Sequence, residues 1–133
     1  LYIERASISK EAVDAFLVIG RKTDLAPGPG GSRITPFPLD NSLKDVISSL
    51  GTDLRTMFVV LYPSSQLVGH KDPPLPSIRY HIPLIVNPGC WVFHDSSWQQ
   101  LEVGHIYEMD QTKVHGAVNW GPDIRIHLIV DAK

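Results

Sequence analysis

From Arg55 to Lys133 the chain is a succession of short runs, MFVVLYP, SIRYHIPLIV, CWVFHD, QQLEVG, HIYEMD, VHGAVNW and DIRIHLIVD. Each is rich in β-branched and aromatic residues, and Pro, Gly, Asn or Asp separates one from the next. Runs of this length and composition suit half-buried strands, and breaks this frequent leave no room for a core-spanning helix. A series of short strands at such spacing favours a sandwich, jelly roll or barrel. No internal repeat interrupts that reading.

The first part of the chain has a different character. Ser9 to Ile19 (SKEAVDAFLVI) sets Ala12, Val13, Phe16, Leu17 and Ile19 at amphipathic-helix spacing, with Ser9 as N-cap and Gly20 at the end. Ala26 to Asp40 (APGPGGSRITPFPLD) is crowded with proline and glycine and reads as an irregular loop, a candidate active-site flap. Gly28, Gly30 and Gly31 within it make no phosphate loop, because prolines interrupt the pattern and no strand leads into it. Arg33 in the same segment is read as a solvated arginine, with contact to an anionic substrate as the alternative. Asn41 or Ser42 then caps a second helix in which Leu43, Val46, Ile47 and Leu50 share one face, closed by Gly51. The expectation is a mainly β chain, a double-stranded β-helix of the cupin-like jelly-roll kind, with two short helices against its outside.

Length and charge limit the function classes. With 133 residues, 43% apolar, 20% charged and a formal net charge of -2, residues 1–133 fit one domain with one core. There is no basic excess of the kind that nucleic acid or an anionic membrane would favour. The single cysteine, Cys90, cannot pair within the chain and reads as a small apolar filler. No apolar run is long enough to span a bilayer, and the start LYIERASISK has no signal-peptide core. A cytoplasmic setting is the expectation.

Side chains two apart on a strand share a face. In SIRYHIPL, Arg79 and His81 oppose Ile78, Tyr80 and Ile82; in DIRIHLIV, Arg125 and His127 oppose Ile124, Ile126, Leu128 and Val130. Either both polar faces look to water, the ordinary pattern for antiparallel strands, or they converge on a ligand inside. Metal-ligand spacing bears on the choice. His70 and Asp72 are two apart, so an extended backbone puts both on one face within reach of one ion. His115, on a later strand, is the best third ligand. Two imidazoles and one carboxylate form the facial triad that leaves coordination positions open and suits non-haem Fe(II) oxygenases. An oxygenase of this kind that uses 2-oxoglutarate must also hold the cosubstrate's far carboxylate. Arg125, ten residues after His115, supplies a guanidinium for a bidentate pair. If the aliphatic face of its strand packs outward, Arg125 points inward, where a bound carboxylate would offset the cost of burying its charge.

The ordered set GHKDP, IRYHIPLIVNPG, GHIYEMD and VHGAVNWGPDIRIHLIVD resembles the aspartyl/asparaginyl β-hydroxylase family of Fe(II)- and 2-oxoglutarate-dependent dioxygenases. The resemblance covers roughly the second half of the chain. It implies a jelly roll that couples oxidative decarboxylation of 2-oxoglutarate by O2 to hydroxylation of an unactivated carbon, releasing succinate and carbon dioxide. It further implies iron ligation by His70 and His115, cosubstrate contacts from Arg79 and His81, and a salt bridge from Arg125 to the cosubstrate carboxylate. Some relatives carry a non-ligating residue at the place of Asp72. An aspartate there argues for the full triad and against a halogenase, whose iron needs that position vacant. The implied substrate is a free amino acid or an Asp/Asn-type residue in a peptide.

Two rival readings use the same architecture: a non-enzymatic cupin-like module binding a small anionic ligand through Arg79, His81 and Arg125, and a Zn(II) or Mn(II) isomerase or hydrolase on the same three ligands. Among the remaining residues, Trp91, Trp98 and Trp120 are read as core packing ahead of pocket walls. His127 is placed beside the site, and His94 and His105 at the surface or in turns. Because ligating histidines must be neutral, activity should fall as the pH drops through the imidazole range.

Overall fold

In the computed structural model, which describes residues 1–23 and 25–133, two antiparallel sheets face one another. The larger runs in the order β1 (Ile3–Ser7), β8 (His105–Met109), β5 (Ile78–Ile85), β10 (Arg125–Ala132), β3 (Arg55–Leu61) and β2 (Ser32–Pro36). The smaller runs β4 (Ser65–His70), β9 (His115–Asn119), β6 (Cys90–His94) and β7 (Ser97–Gln99). Sequence neighbours β3 and β4 lie in different sheets, as do β5 and β6, so the chain crosses repeatedly between layers. The architecture is the expected jelly roll.

The two faces of β10 divide the interior. Ile126, Leu128 and Val130 join Phe58, Val60 and Ile82 in a core closed from outside by two helices. Helix α1 (Lys10–Gly20) contributes Val13 and Phe16, and α2 (Asn41–Ile47) contributes Leu43 and Ile47. With that face committed to the helices, the alternate residues Arg125, His127 and Asp131 turn toward the smaller sheet. There they meet a second apolar cluster that includes Tyr2, Leu61, Val92, Tyr107 and Met109. The polar faces read from the sequence therefore point into the barrel.

Both helices form for local reasons that the sequence displays. The Ser9 Oγ accepts a hydrogen bond from the Ala12 N–H at 3.1 Å, an N-cap. Gly20 is the last residue of α1, where a Cβ would stand 2.1 Å from Cε2 of Phe58; close packing on that ring requires the glycine. The second cap is Asp40, not Asn41 or Ser42. Its Oδ1 accepts from the Leu43 N–H and the Ser42 hydroxyl, both at 2.9 Å, so Ser42 bonds to the cap instead of serving as one.

Three expectations change. The segment Ala26 to Asp40 is not wholly irregular: β2 lies within it and pairs with β3 from Ser32 opposite Leu61 to Pro36 opposite Met57. An edge strand tolerates proline, since one side of it makes no ladder bonds. Strand β1, exposed along its whole length, was absent from the reading because an edge strand carries no clean alternation. The run QQLEVG supplies only Gln99 to a strand; the chain then turns at Gly104, whose φ is +81°. No helix among the described residues is long and apolar enough to cross a membrane.

Leu128 is fully buried between β10 and the helices, whereas Val18 on α1 is exposed. Leu128→Ala should cost about 2–5 kcal/mol and Val18→Ala less than about 0.5 kcal/mol. Urea midpoints at unchanged m-value check both.

Candidate metal centre

His70 ends β4 and His115 begins β9, and the antiparallel register sets them directly opposite each other. The pairing is irregular between Leu67 and His70, a bulge that re-aims the end of the edge strand. Behind His115, Gly116 lets β4 press close: a Cβ there would lie 2.6 Å from the Leu67 carbonyl oxygen and 2.8 Å from the Phe93 ring. Past the end of β4, the Asp72 N–H donates to the Gln111 carbonyl at 2.8 Å and fixes the carboxylate's approach.

The hydrogen bonds set both ring tautomers. His70 Nδ1–H donates to the Val68 carbonyl at 2.7 Å, and His115 Nδ1–H donates to the Lys113 carbonyl at 2.8 Å. A neutral imidazole with its proton on Nδ1 carries a bare lone pair on Nε2. Both Nε2 atoms face Asp72 Oδ2, at 3.7 Å from His70 and 3.4 Å from His115. The three ligand atoms lie within 4.8 Å of one another. Donors at about 2.1 Å from one ion would be about 3 Å apart on adjacent positions, so small side-chain adjustments suffice. Burial, reinforced by neighbouring His70, holds the His115 imidazole below its usual range and so favours the ligating form.

The cluster opens into a cavity of about 290 Å³ with walls from Met57, Val59, Met109 and Ile129. Arg79, His81 and Arg125 line it as well, so the structure brings all six residues singled out in the sequence to one space. They are not equivalent. Arg79 Nε and Nη2 donate to the two carboxylate oxygens of Asp131, each at 2.9 Å, and its Nη1 stands 3.8 Å from Asp72. The bond to Asp131 raises the Arg79 pKa and occupies much of its donor fork. Arg125 is 3% exposed, its Nε has no hydrogen-bond partner among the described residues, and burial lowers its pKa. His81 is buried too; its Nδ1 is 3.2 Å from His127 Nδ1, and its Nε2 has no hydrogen-bond partner among the described residues.

Two participants were missed. Asp131 lies six residues beyond Arg125 on the same strand face and is the register partner of Arg79; continuing the two-residue step along DIRIHLIVD would have found it. Tyr2 packs edge-on against His81 with ring centroids 5.2 Å apart, and burial pushes its hydroxyl up to about 12. It immediately precedes the unrecognised edge strand. Other residues lie elsewhere. His127 borders a second cavity of about 350 Å³ with Cys90, Trp91, Gln100 and Arg125. Trp91, Trp98 and Trp120 gather around a hollow apart from the metal-site cavity, and Trp98 and Trp120 are exposed, so neither belongs to the core. His94 is buried, not superficial: its Nε2–H donates to the Asp110 carbonyl at 2.8 Å. His105 stays partly exposed beside Glu4 and Glu102, Cys90 is a buried free thiol, and Arg33 is half-buried on β2.

Residues 41–133 match the family model described as aspartyl/asparaginyl beta-hydroxylase. Solved structures sharing the fold include KdgF from a Halomonas species, at 14% identity and TM-score 0.58, covering 85% of this chain and 89% of that one. An oxalate oxidase in complex with the substrate analogue glycolate aligns at 16% identity and TM-score 0.58, over 85% of this chain and 56% of that one. A cupin-like protein from Thermotoga maritima aligns at 14% identity and TM-score 0.54, over 83% and 78%. No curated protein sequence matches the chain.

His115→Ala should abolish tight binding of one divalent metal ion, and His70→Ala should weaken it by at least about tenfold, both read by calorimetry on folded protein. A second expectation follows from His81 and His127, whose pKa values burial drives well below the imidazole range. Unfolding lets both bind protons near their ordinary pKa of 6.5, so stability is present above pH 6.5 and is lost as the pH falls below it. Each group contributes a slope of up to about 1.4 kcal/mol per pH unit. Urea midpoints at pH 7.5 and 5.5 should differ accordingly.

Proposed function

The chain belongs to the aspartyl/asparaginyl β-hydroxylase family, and from that premise we propose that it is an Fe(II)- and 2-oxoglutarate-dependent dioxygenase. Its substrate is a free amino acid or an Asp/Asn-type residue of a peptide, hydroxylated at an unactivated carbon. The observation that carries this reading is Arg125: a buried guanidinium with an unpartnered Nε, lining the same cavity as a His-Asp-His cluster. A buried guanidinium nitrogen with no acceptor among the described residues is costly, and a dicarboxylate that reaches from the metal cluster to Arg125 would reduce that cost.

His70, Asp72 and His115 would hold Fe(II), with Nε2 of both histidines and a carboxylate oxygen as donors. Bound there, the iron would supply the activation of O2 that converts 2-oxoglutarate to succinate and carbon dioxide and transfers one oxygen atom to the substrate. Arg125 binds the distal carboxylate by charge-assisted hydrogen bonds. His81 presents Nε2 to the cosubstrate. Arg79, braced by Asp131, acts chiefly by holding positive charge behind Asp72. Met57, Val59, Met109 and Ile129 exclude water from the space between. The cavity is at the small end for ligand sites, which suits a five-carbon diacid. His70, 48% exposed, marks the mouth through which substrate approaches.

Anaerobic titration of the protein with Fe(II) and 2-oxoglutarate tests the reading. A visible charge-transfer band should saturate with wild type and be absent with His70→Ala, and Arg125→Ala should require about 10- to 100-fold more 2-oxoglutarate to reach it. No band from folded wild-type protein would favour the anion-binding module or a Zn(II) or Mn(II) enzyme instead.

A further inference from the structure

His81 on β5 and His127 on β10 stand next to each other across the sheet, with Nδ1 atoms 3.2 Å apart and rings nearly perpendicular at 87°. Both are buried, yet they border different spaces. His81 lines the metal cavity, His127 lines the second cavity, and Arg125 borders both. Burial and the nearby Arg125 charge keep both imidazoles neutral. Two neutral imidazoles that meet through Nδ1 share a single proton there, because one nitrogen must donate and the other accept.

That choice determines what each ring shows at its far side. If His127 donates, His81 Nδ1 is bare, so His81 carries its proton on Nε2 and offers an N–H to the metal cavity. If His81 donates, its Nε2 is a bare lone pair, which repels an anion. On the His81 side nothing else among the described residues decides the matter, since its Nε2 has no hydrogen-bond partner there. We propose that, when a carboxylate occupies the metal cavity, His127 donates from Nδ1 to His81 and holds it in the Nε2–H form that donates to the carboxylate. His127 is thus a positioning residue, acting on the ligand only through His81. Its own Nε2 is then bare, which favours a hydrogen-bond donor, such as water, in the second cavity. The identification of the carboxylate as 2-oxoglutarate rests on the function proposed above.

The test uses the full chain with histidine labelled in 15N, Zn(II) in place of iron, and 2-oxoglutarate, read by two-bond 1H–15N correlation spectra and by calorimetry. The expected spectrum has His81 protonated on Nε2 and His127 protonated on Nδ1. His127→Asn places an amide N–H where Nδ1 stood, and should keep 2-oxoglutarate affinity within about threefold of wild type. His127→Leu fills similar volume without a donor; it should lose about tenfold in affinity, leave Zn(II) affinity unchanged and give His81 mixed tautomers. His81 protonated on Nδ1 in the bound state, or equal affinities for the Leu and Asn variants, would overturn the proposal. If the Leu variant does not fold, the wild-type spectrum decides alone. Failure of wild type to bind 2-oxoglutarate at all would sink the cosubstrate reading and this proposal together, whereas binding with the wrong tautomer sinks only the latter.

Discussion

Strand β10 is hydrogen-bonded along both edges, to β5 on one side and β3 on the other, and this double commitment fixes which way each of its side chains points. A slip of one residue would exchange its faces, sending Leu128 and Val130 into the cavity and Arg125 into the helix-packed core. The apolar cluster with Phe16, Ile47 and Phe58 forbids that exchange. The inward aim of Arg125, His127 and Asp131 is therefore enforced by the hydrophobic packing on the opposite face. The chemistry of the cavity depends on a core that never touches it.

The polar groups in that cavity balance only in part. Asp131 neutralises Arg79 through two hydrogen bonds and closes one account within the protein. Two deficits of opposite sign remain. Asp72 faces two imidazole lone pairs, an arrangement of three electron-rich atoms that a cation would stabilise. Arg125 brings a positive charge whose Nε finds no acceptor among the described residues. A metal ion would answer the first deficit and an anion the second, and because both sets of residues line one cavity, each would favour the other's binding.

Much of this was legible from residue spacing. Two-residue steps placed Arg79 with His81 and Arg125 with His127, and the structure brings His70, Asp72 and His115 together as the spacing and the family resemblance implied. What escaped depends on pairing in three dimensions. Strand β1 is charged and exposed, and it is a strand only because β8 offers an edge. Strand β2 hides in a proline-rich segment because β3 accepts an edge partner that no propensity announces. His94 looked superficial because its acceptor, the Asp110 carbonyl, comes from another part of the chain. The relation of His81 to His127 was invisible for the same reason: it exists only once β5 and β10 are neighbours.

The site's two ends also differ in how firmly the fold holds them. Arg125 and His127 sit on β10, one of the two central strands of the larger sheet and paired along both edges, so the end that would recognise an anion is built on a firmly held element. His70 and Asp72 lie at the end of β4, an edge strand, just past a bulge and before a proline-rich turn. Such a place opens locally at lower free energy than the sheet interior. A ligand held deep against Arg125 would meet a metal whose surroundings toward the mouth can adjust to a second molecule. An inner half held on both edges and an outer half at a sheet edge would suit the proposed reaction, in which a small diacid must always bind the same way while the substrate arrives from outside.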